Sequence, residues 1–151
     1  MTIQEALIGT WRLISQETEF ADGSREFARG ENPDGILMYD ALGNMSVHLV
    51  RSDDPLILHT DLTQFDTAMG QYHGYFGTYE INETEQIVYH NIVGSAFPLY
   101  RGTRQVRHFR LEGNRLYLSS GATIAGDDTK RFLIWEKLET PYPRTPSEDK
   151  L

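Results

Sequence analysis

Short apolar runs alternate with turn signals along almost the whole chain. The runs are rich in Val, Ile, Tyr, Phe and Leu, as β-strands are, and the helical period is nearly absent. Gly, Asn and Asp stand between the runs, where tight connections require positive φ. The pattern predicts strands over residues 9–20, 35–39, 44–51, 75–81, 86–94, 103–111, 115–119 and 130–138.

Consecutive strands joined by short turns predict an antiparallel meander. About eight strands are the number at which such a sheet closes into a barrel that holds side chains or one small ligand. Closure also removes the exposed edges that so many aromatic and β-branched strands would otherwise present. We therefore predict an all-β fold, an antiparallel meander barrel of about eight strands.

One connection, over residues 52–74, is longer than a hairpin needs. Within it Leu62, Phe65, Ala68 and Met69 follow one another at three- and four-residue spacings, which indicates one short amphipathic helix. A long excursion from a tight meander is commonly a lid over a barrel mouth. We expect either a lid whose Phe65 and Met69 contact a ligand, or a helix that only plugs one end of the barrel.

Length and charge narrow the possible functions. A chain of 151 residues suits one domain, which we place over residues 1–138, and the proline-rich segment 139–151 is predicted to be an extended tail. The net charge of -8 and the scattered Lys and Arg residues disfavour nucleic acid and anionic membranes as partners. Neither a secretion signal nor a bilayer-spanning segment is present, so we expect a cytoplasmic protein.

Metal and cofactor sites lack their usual signatures. The chain contains no cysteine, and its five histidines form no metal-binding spacing. Glycine-rich phosphate loops are missing as well. We expect neither a metal ion nor a cofactor.

A Gly9-Thr10-Trp11 motif opens the first predicted strand and resembles the G-x-W motif of lipocalins. Together with segments 35–39, 43–48, 75–80, 90–98, 105–109 and 133–136, it resembles the bacterial and fungal lipocalin-like domain proteins. The resemblance implies a calycin-type barrel that binds a small molecule, with Trp11 plugging its closed end against the last strand. In lipocalins an Arg of the last strand stacks on this Trp, and Arg131 lies in that strand here, with Trp135.

Strand alternation identifies residues that would point into the barrel. Gln105 and Arg107 share a face with Phe109 and Leu111, and this face carries the larger apolar load, so we expect it to face inward. An inward arginine is costly unless it meets a carboxylate, an aromatic ring or an anionic or carbonyl ligand. Arg107 is therefore either a ligand-binding group or a structural one.

Two tyrosines are also predicted to face inward, because the charged Glu80 should face outward. These are Tyr75 and Tyr79, and Gly77 between them is expected to leave open volume. Alternation does not decide the direction of His48 or His90. Either histidine would be a candidate acid or base if it faced inward, and a structural group otherwise.

These residues support two main hypotheses. In the first, the barrel binds a small hydrophobic or aromatic metabolite, and a homodimer is left open as a further assembly. In the second, it is a cofactor-independent enzyme, an isomerase or cyclase, in which Arg107 polarises a carbonyl and His90 or Tyr79 moves a proton. The third possibility is an interaction protein whose own side chains fill the barrel. The predicted ligand-contacting residues are His48, Phe65, Met69, Tyr75, Tyr79, His90, Gln105 and Arg107.

Overall fold

Eight antiparallel strands close into a barrel because the first strand pairs with the last. The computed structural model describes residues 1–51, 72–121 and 129–143. The strands, in chain order, are β1 (Gly9–Glu19), β2 (Arg25–Phe27), β3 (Asp34–Tyr39), β4 (Asn44–Val50), β5 (Tyr72–Asn82), β6 (Ile87–Ser95), β7 (Arg104–Glu112), β8 (Arg115–Ser120) and β9 (Lys130–Lys137). All except the short β2 belong to the closed barrel. The seven pairings between successive barrel strands are antiparallel, and so is the pairing of β1 with β9 that closes the barrel.

The predicted meander of about eight strands is confirmed, with strand ends within a few residues of those expected. Three of the described elements were not predicted: β2, a short helix before β1, and a single 3-10 turn at Pro98–Tyr100. The strand β2 pairs with the end of β1, at Glu17 to Glu19, beyond the part of β1 that β3 covers. A short helix, α1 (Ile3–Leu7), precedes the barrel, and a reciprocal capping box between Thr2 and Glu5 starts it. That capping signal is visible in the sequence.

Two predicted segments fall wholly or partly beyond the described residues. The predicted helix with Phe65 and Met69 lies outside them altogether. Of the predicted tail, residues 139–143 are described, and there Tyr142 is bonded to β3: its hydroxyl donates to an Asp34 carboxylate oxygen at 2.8 Å and accepts from the Gly35 amide at 3.2 Å. The beginning of the tail is thus held against the barrel wall.

Trp11 closes one end of the barrel, as expected. It is 1% exposed, and its indole N–H donates to the carbonyl oxygen of Leu7 in α1 at 3.0 Å. The cation beside its ring is Lys137, whose Nζ lies 5.2 Å from the ring centroid and donates to the carbonyl of Ala6. Arg131 is not the counterpart of the lipocalin arginine that stacks on this Trp, because it pairs with Thr18, far along β1 from Trp11.

Irregularities in two strands decide what faces the interior. In β1 the register shifts between Leu13 and Ser15, so that Leu13 and Gln16, three residues apart, are both buried. In β5 the register shifts at Gly77, where an added Cβ would overlap the carbonyl oxygen of Asn91. Gly77 therefore admits the neighbouring backbone and does not create ligand space.

Trp11→Ala should destabilise the fold by about 3–5 kcal/mol, because it leaves a large cavity at the closed end and removes the bond to Leu7. Urea unfolding measures the change. Leu42→Ala is the control, since Leu42 is 88% exposed in a turn and its loss should change the free energy of unfolding by no more than about 0.5 kcal/mol. Equal unfolding midpoints for Trp11→Ala and the wild type would refute this role.

Candidate functional site

The barrel encloses a cavity of about 330 Å³ beside Trp135. One part of its wall is aliphatic or aromatic: Leu37, Val47, Leu49, Tyr75, Phe97, Tyr100, Leu118, Leu133 and Trp135. The other part is polar: Gln16, Arg29, His73, His90, Arg107, Ser120 and Arg131. This volume lies near the lower end for small-molecule sites and suits a compact organic molecule.

Positive charge is concentrated in this cavity although the whole chain carries a net charge of -8. Three arginines line it, and none of the described lining residues is an Asp or Glu. The Nε of Arg29 donates to Gln16 Oε1 at 3.1 Å. Burial, together with the charges of Arg29, Arg107 and Arg131, lowers the pKa of His73 to about 4. At neutral pH the histidine is therefore uncharged.

Arg107 reaches the cavity from β7, as strand alternation predicts. Its Nη1 donates to the carbonyl oxygen of Val106 at 3.1 Å, and its side chain lies beside the hydroxyl of Tyr75. Within the described parts of the chain it has no carboxylate partner. The guanidinium therefore keeps donors available for a bound molecule.

His90 is held between two tyrosine hydroxyls. The side chain is 1% exposed, its Nε2 lies 2.6 Å from Tyr39 Oη, and its Nδ1 lies 2.7 Å from Tyr75 Oη. Burial, and to a lesser extent the charge of Arg107, lowers the pKa of His90 well below its ordinary value. Burial raises the pKa of both Tyr39 and Tyr75, so this chain of three side chains is uncharged at neutral pH.

The structure brings three of the predicted site residues to the cavity wall, namely Tyr75, His90 and Arg107. Gln105 is buried opposite His90 in the ladder, but its Nε2 donates to Thr103 Oγ1 at 2.8 Å and it does not line the cavity. Tyr79 faces inward nearer the closed end, where its hydroxyl donates to the carbonyl of Asp40 at 2.7 Å. Neither Gln105 nor Tyr79 is placed to contact a molecule in this cavity.

His48 lies on the outer face of β4, although it was expected among the cavity groups. The interior positions of this strand are taken by Met45, Val47 and Leu49, which are all buried. The His48 ring is bonded outside, with Nδ1 2.7 Å from Tyr72 Oη. Because the buried apolar residues of β4 alternate with His48, the histidine side chain faces outward.

Several cavity residues were missed in the sequence. Arg131 alternates with Leu133 and Trp135, so counting back from the buried tryptophan would have found it. Tyr39 does not line the cavity but orients His90, and it ends the second predicted strand, residues 35–39, without any polar signature. Others depend on irregular structure or on loops: Gln16 follows the β1 register shift, and Arg29 lies between β2 and β3.

Comparison with known proteins agrees with this architecture. The sequence model of the lipocalin-like domain matches residues 8–138, most of the chain. This chain belongs to the lipocalin-like domain family. A search of curated proteins found no significant match. The lipocalin-like fold suggests that the barrel binds a small hydrophobic ligand.

Two findings concern other kinds of site, within residues 1–51, 72–121 and 129–143. No group of three or more His, Asp or Glu side chains there is arranged to hold a metal ion. None of the helices in those ranges combines the length and apolar content needed to cross a bilayer.

The free energy of unfolding should fall as the pH is lowered from about 6.5 towards 4. In this window unfolded chains protonate His73 while the folded protein, with the pKa of His73 at about 4, does not, so acid favours unfolding. Urea unfolding at a series of pH values should show a smaller slope for His73→Gln. Leu42→Ala, at an exposed position without a titratable group, should keep the wild-type slope. An unchanged slope in His73→Gln would contradict the assignment.

Proposed function

We propose that this lipocalin-like barrel binds a small organic molecule with an apolar or aromatic body and an anionic oxygen group, such as a carboxylate. The observation that carries the proposal is Arg107, a cation at the wall of a cavity with an apolar and a polar part, with no carboxylate partner among the described residues. A bound anion would supply the charge partner for this guanidinium.

Electrostatics favour an anion over a neutral or cationic ligand. Taking a guanidinium out of water costs several kcal/mol unless charge and hydrogen bonds compensate for it. A carboxylate matches the planar guanidinium and forms charge-assisted hydrogen bonds with it. The neighbouring His73 and His90 are both uncharged at neutral pH and so neither adds to nor cancels the attraction.

The aliphatic and aromatic part of the wall suits an apolar or aromatic body. Leu118 and Leu133 lie on neighbouring strands of this wall, and Tyr75 and Tyr100 present rings 6.1 Å apart in an edge-to-face arrangement. Trp135 lines the same cavity, and its buried indole N–H has no hydrogen-bond partner among the described residues. A buried donor without an acceptor is costly, so a ligand acceptor nearby would be favourable.

A second candidate is a cofactor-independent isomerase or cyclase. The observation that favours it is the connection of Arg107, through Tyr75, to the buried pair His90 and Tyr39, because such a chain could pass a proton to a substrate oxygen. Both ring nitrogens of His90 are engaged by tyrosines, so neither is free to remove a proton from a substrate directly. Binding without turnover is therefore the proposal we favour.

The remaining expectations stay predictions. They are the cytoplasmic location, a homodimer, the single domain over residues 1–138, and ligand contacts from Phe65 and Met69. The proposal for the cavity depends on none of them.

Isothermal titration with 2-naphthoate and its uncharged counterpart 2-naphthamide tests the proposal. The wild-type protein should bind the carboxylate more tightly than the amide. Arg107→Met should weaken binding of 2-naphthoate by about tenfold or more, because a hydrogen bond to a charged group contributes about 1.5–3 kcal/mol. Binding of the amide should change much less.

Arg110→Met is the matched control. Arg110 lies on the same strand, but on the outer face, where it packs over the ring of Tyr117 and pairs with Glu112. Its removal should leave the affinity for 2-naphthoate unchanged. Equal affinity of the wild type and Arg107→Met, with both proteins folded, would remove Arg107 from the site and overturn the proposal.

A further inference from the structure

The chain formed by Tyr39, His90 and Tyr75 has a direction that its hydrogen bonds determine. A neutral imidazole carries one proton, so one ring nitrogen donates and the other accepts. One tyrosine must therefore donate its hydroxyl proton to His90, and the other must accept from it. The assignment of the donating and the accepting tyrosine decides whether the cavity wall offers a ligand a free hydroxyl proton.

In the first arrangement the proton is on Nε2. His90 then donates to the oxygen of Tyr39 and accepts from the hydroxyl of Tyr75. The Tyr39 hydroxyl would keep its own proton with no acceptor, because within the described residues its oxygen makes no other hydrogen bond. Tyr39 is 1% exposed and does not line the cavity, so neither solvent nor a ligand would satisfy that donor.

In the second arrangement the proton is on Nδ1. Tyr39 donates to Nε2, and His90 donates to the oxygen of Tyr75, so both buried groups are satisfied. The remaining proton belongs to the hydroxyl of Tyr75, which lines the cavity and lies beside Arg107. Leaving a buried donor unpaired costs about 1–3 kcal/mol, which favours the second arrangement.

We infer that His90 carries its proton on Nδ1, which makes the hydroxyl of Tyr75 a hydrogen-bond donor to the same ligand oxygen group that Arg107 binds. The role of Tyr75 toward the ligand rests on the proposed function, but the protonation state inferred for His90 does not. Tyr75 is then a specificity-determining residue, and Tyr39 and His90 are positioning residues that act through it.

The consequence is that Arg107 and Tyr75 together present only hydrogen-bond donors to the ligand. The arginine side chain has no acceptor, and Tyr75, which accepts from His90 and lies beside Arg107, contributes its proton. Two donors on one oxygen group suit a carboxylate or an enolate-like oxygen. A ligand that offers an N–H group at this position would leave both protein donors without an acceptor, and such a mismatch discriminates strongly.

The first test is the protonation state of His90 in the ligand-free protein. Nuclear magnetic resonance of ¹⁵N-histidine-labelled protein distinguishes a protonated Nδ1 from a protonated Nε2 through two-bond correlations to the ring hydrogens. We expect His90 as the Nδ1–H form at neutral pH, and loss of that uniform state in Tyr39→Phe, which lacks the donor to Nε2. A wild-type His90 protonated on Nε2 would overturn the inference even if 2-naphthoate binds as proposed.

The second test measures how a substitution outside the cavity changes the affinity for 2-naphthoate. Tyr39→Phe should weaken 2-naphthoate binding about three- to tenfold, the range expected for one neutral hydrogen bond, although residue 39 does not reach the ligand. Tyr75→Phe should weaken it at least as much. Tyr79→Phe is the control: its ring packs on Tyr39 at 4.7 Å, but its hydroxyl is bonded to Asp40, so affinity should not change.

The two tests separate failure of the inference from failure of the proposed function. Tight carboxylate binding that depends on Arg107 but is unaffected in Tyr39→Phe and Tyr75→Phe would overturn the inference alone. A wild-type protein that binds 2-naphthoate no better than 2-naphthamide would overturn the proposed function, and the resonance experiment would still decide the state of His90.

Discussion

The pairing of β1 with β9 is the interaction on which the rest of the structure depends. It turns an open meander into a closed wall, so that alternate side chains of eight strands share one interior. Trp11 and α1 close one end of that interior, with the indole bonded to Leu7. A polar group placed inside must find its partner there, because the wall separates it from solvent.

This constraint explains why the polar interior groups form a connected set. Tyr39, His90 and Tyr75 satisfy one another in a row, and the row ends at Arg107. The apolar side chains around them keep the histidine neutral through burial. The result is a cavity that offers positive charge and hydrogen-bond donors to a ligand, in a protein whose overall charge is negative.

Much of the fold was predictable because strand alternation and turn residues are local signals. Barrel closure and the inward face of β7 followed from them, whereas the burial of Trp11 followed from the resemblance to lipocalins. The site was less predictable, because a single register shift changes which face a residue occupies. Gln16 in β1 shows this effect. A second reason applies to His48 and His90. Whether each ring faces inward or outward depends on the apolar neighbours in its own strand and on partners on distant strands.

The hydrogen-bond partners of His90 could not be predicted from local pattern at all. Tyr39 is 51 residues away from it in the sequence, and the contact exists because β3 and β6 face each other across the closed barrel. Arg107 was predicted from alternation, but whether an acidic side chain neutralises it depends on the whole interior. Only the assembled barrel shows that the described cavity wall contains no carboxylate.

A crystal structure of the protein with 2-naphthoate tests the central claim most directly, because it locates the anionic group. The account predicts that the naphthalene ring lies in the cavity and that the carboxylate lies within hydrogen-bond distance of the Arg107 guanidinium. A 2-naphthoate molecule bound in the cavity with its carboxylate turned away from Arg107, or bound only on the outer surface, would contradict the account.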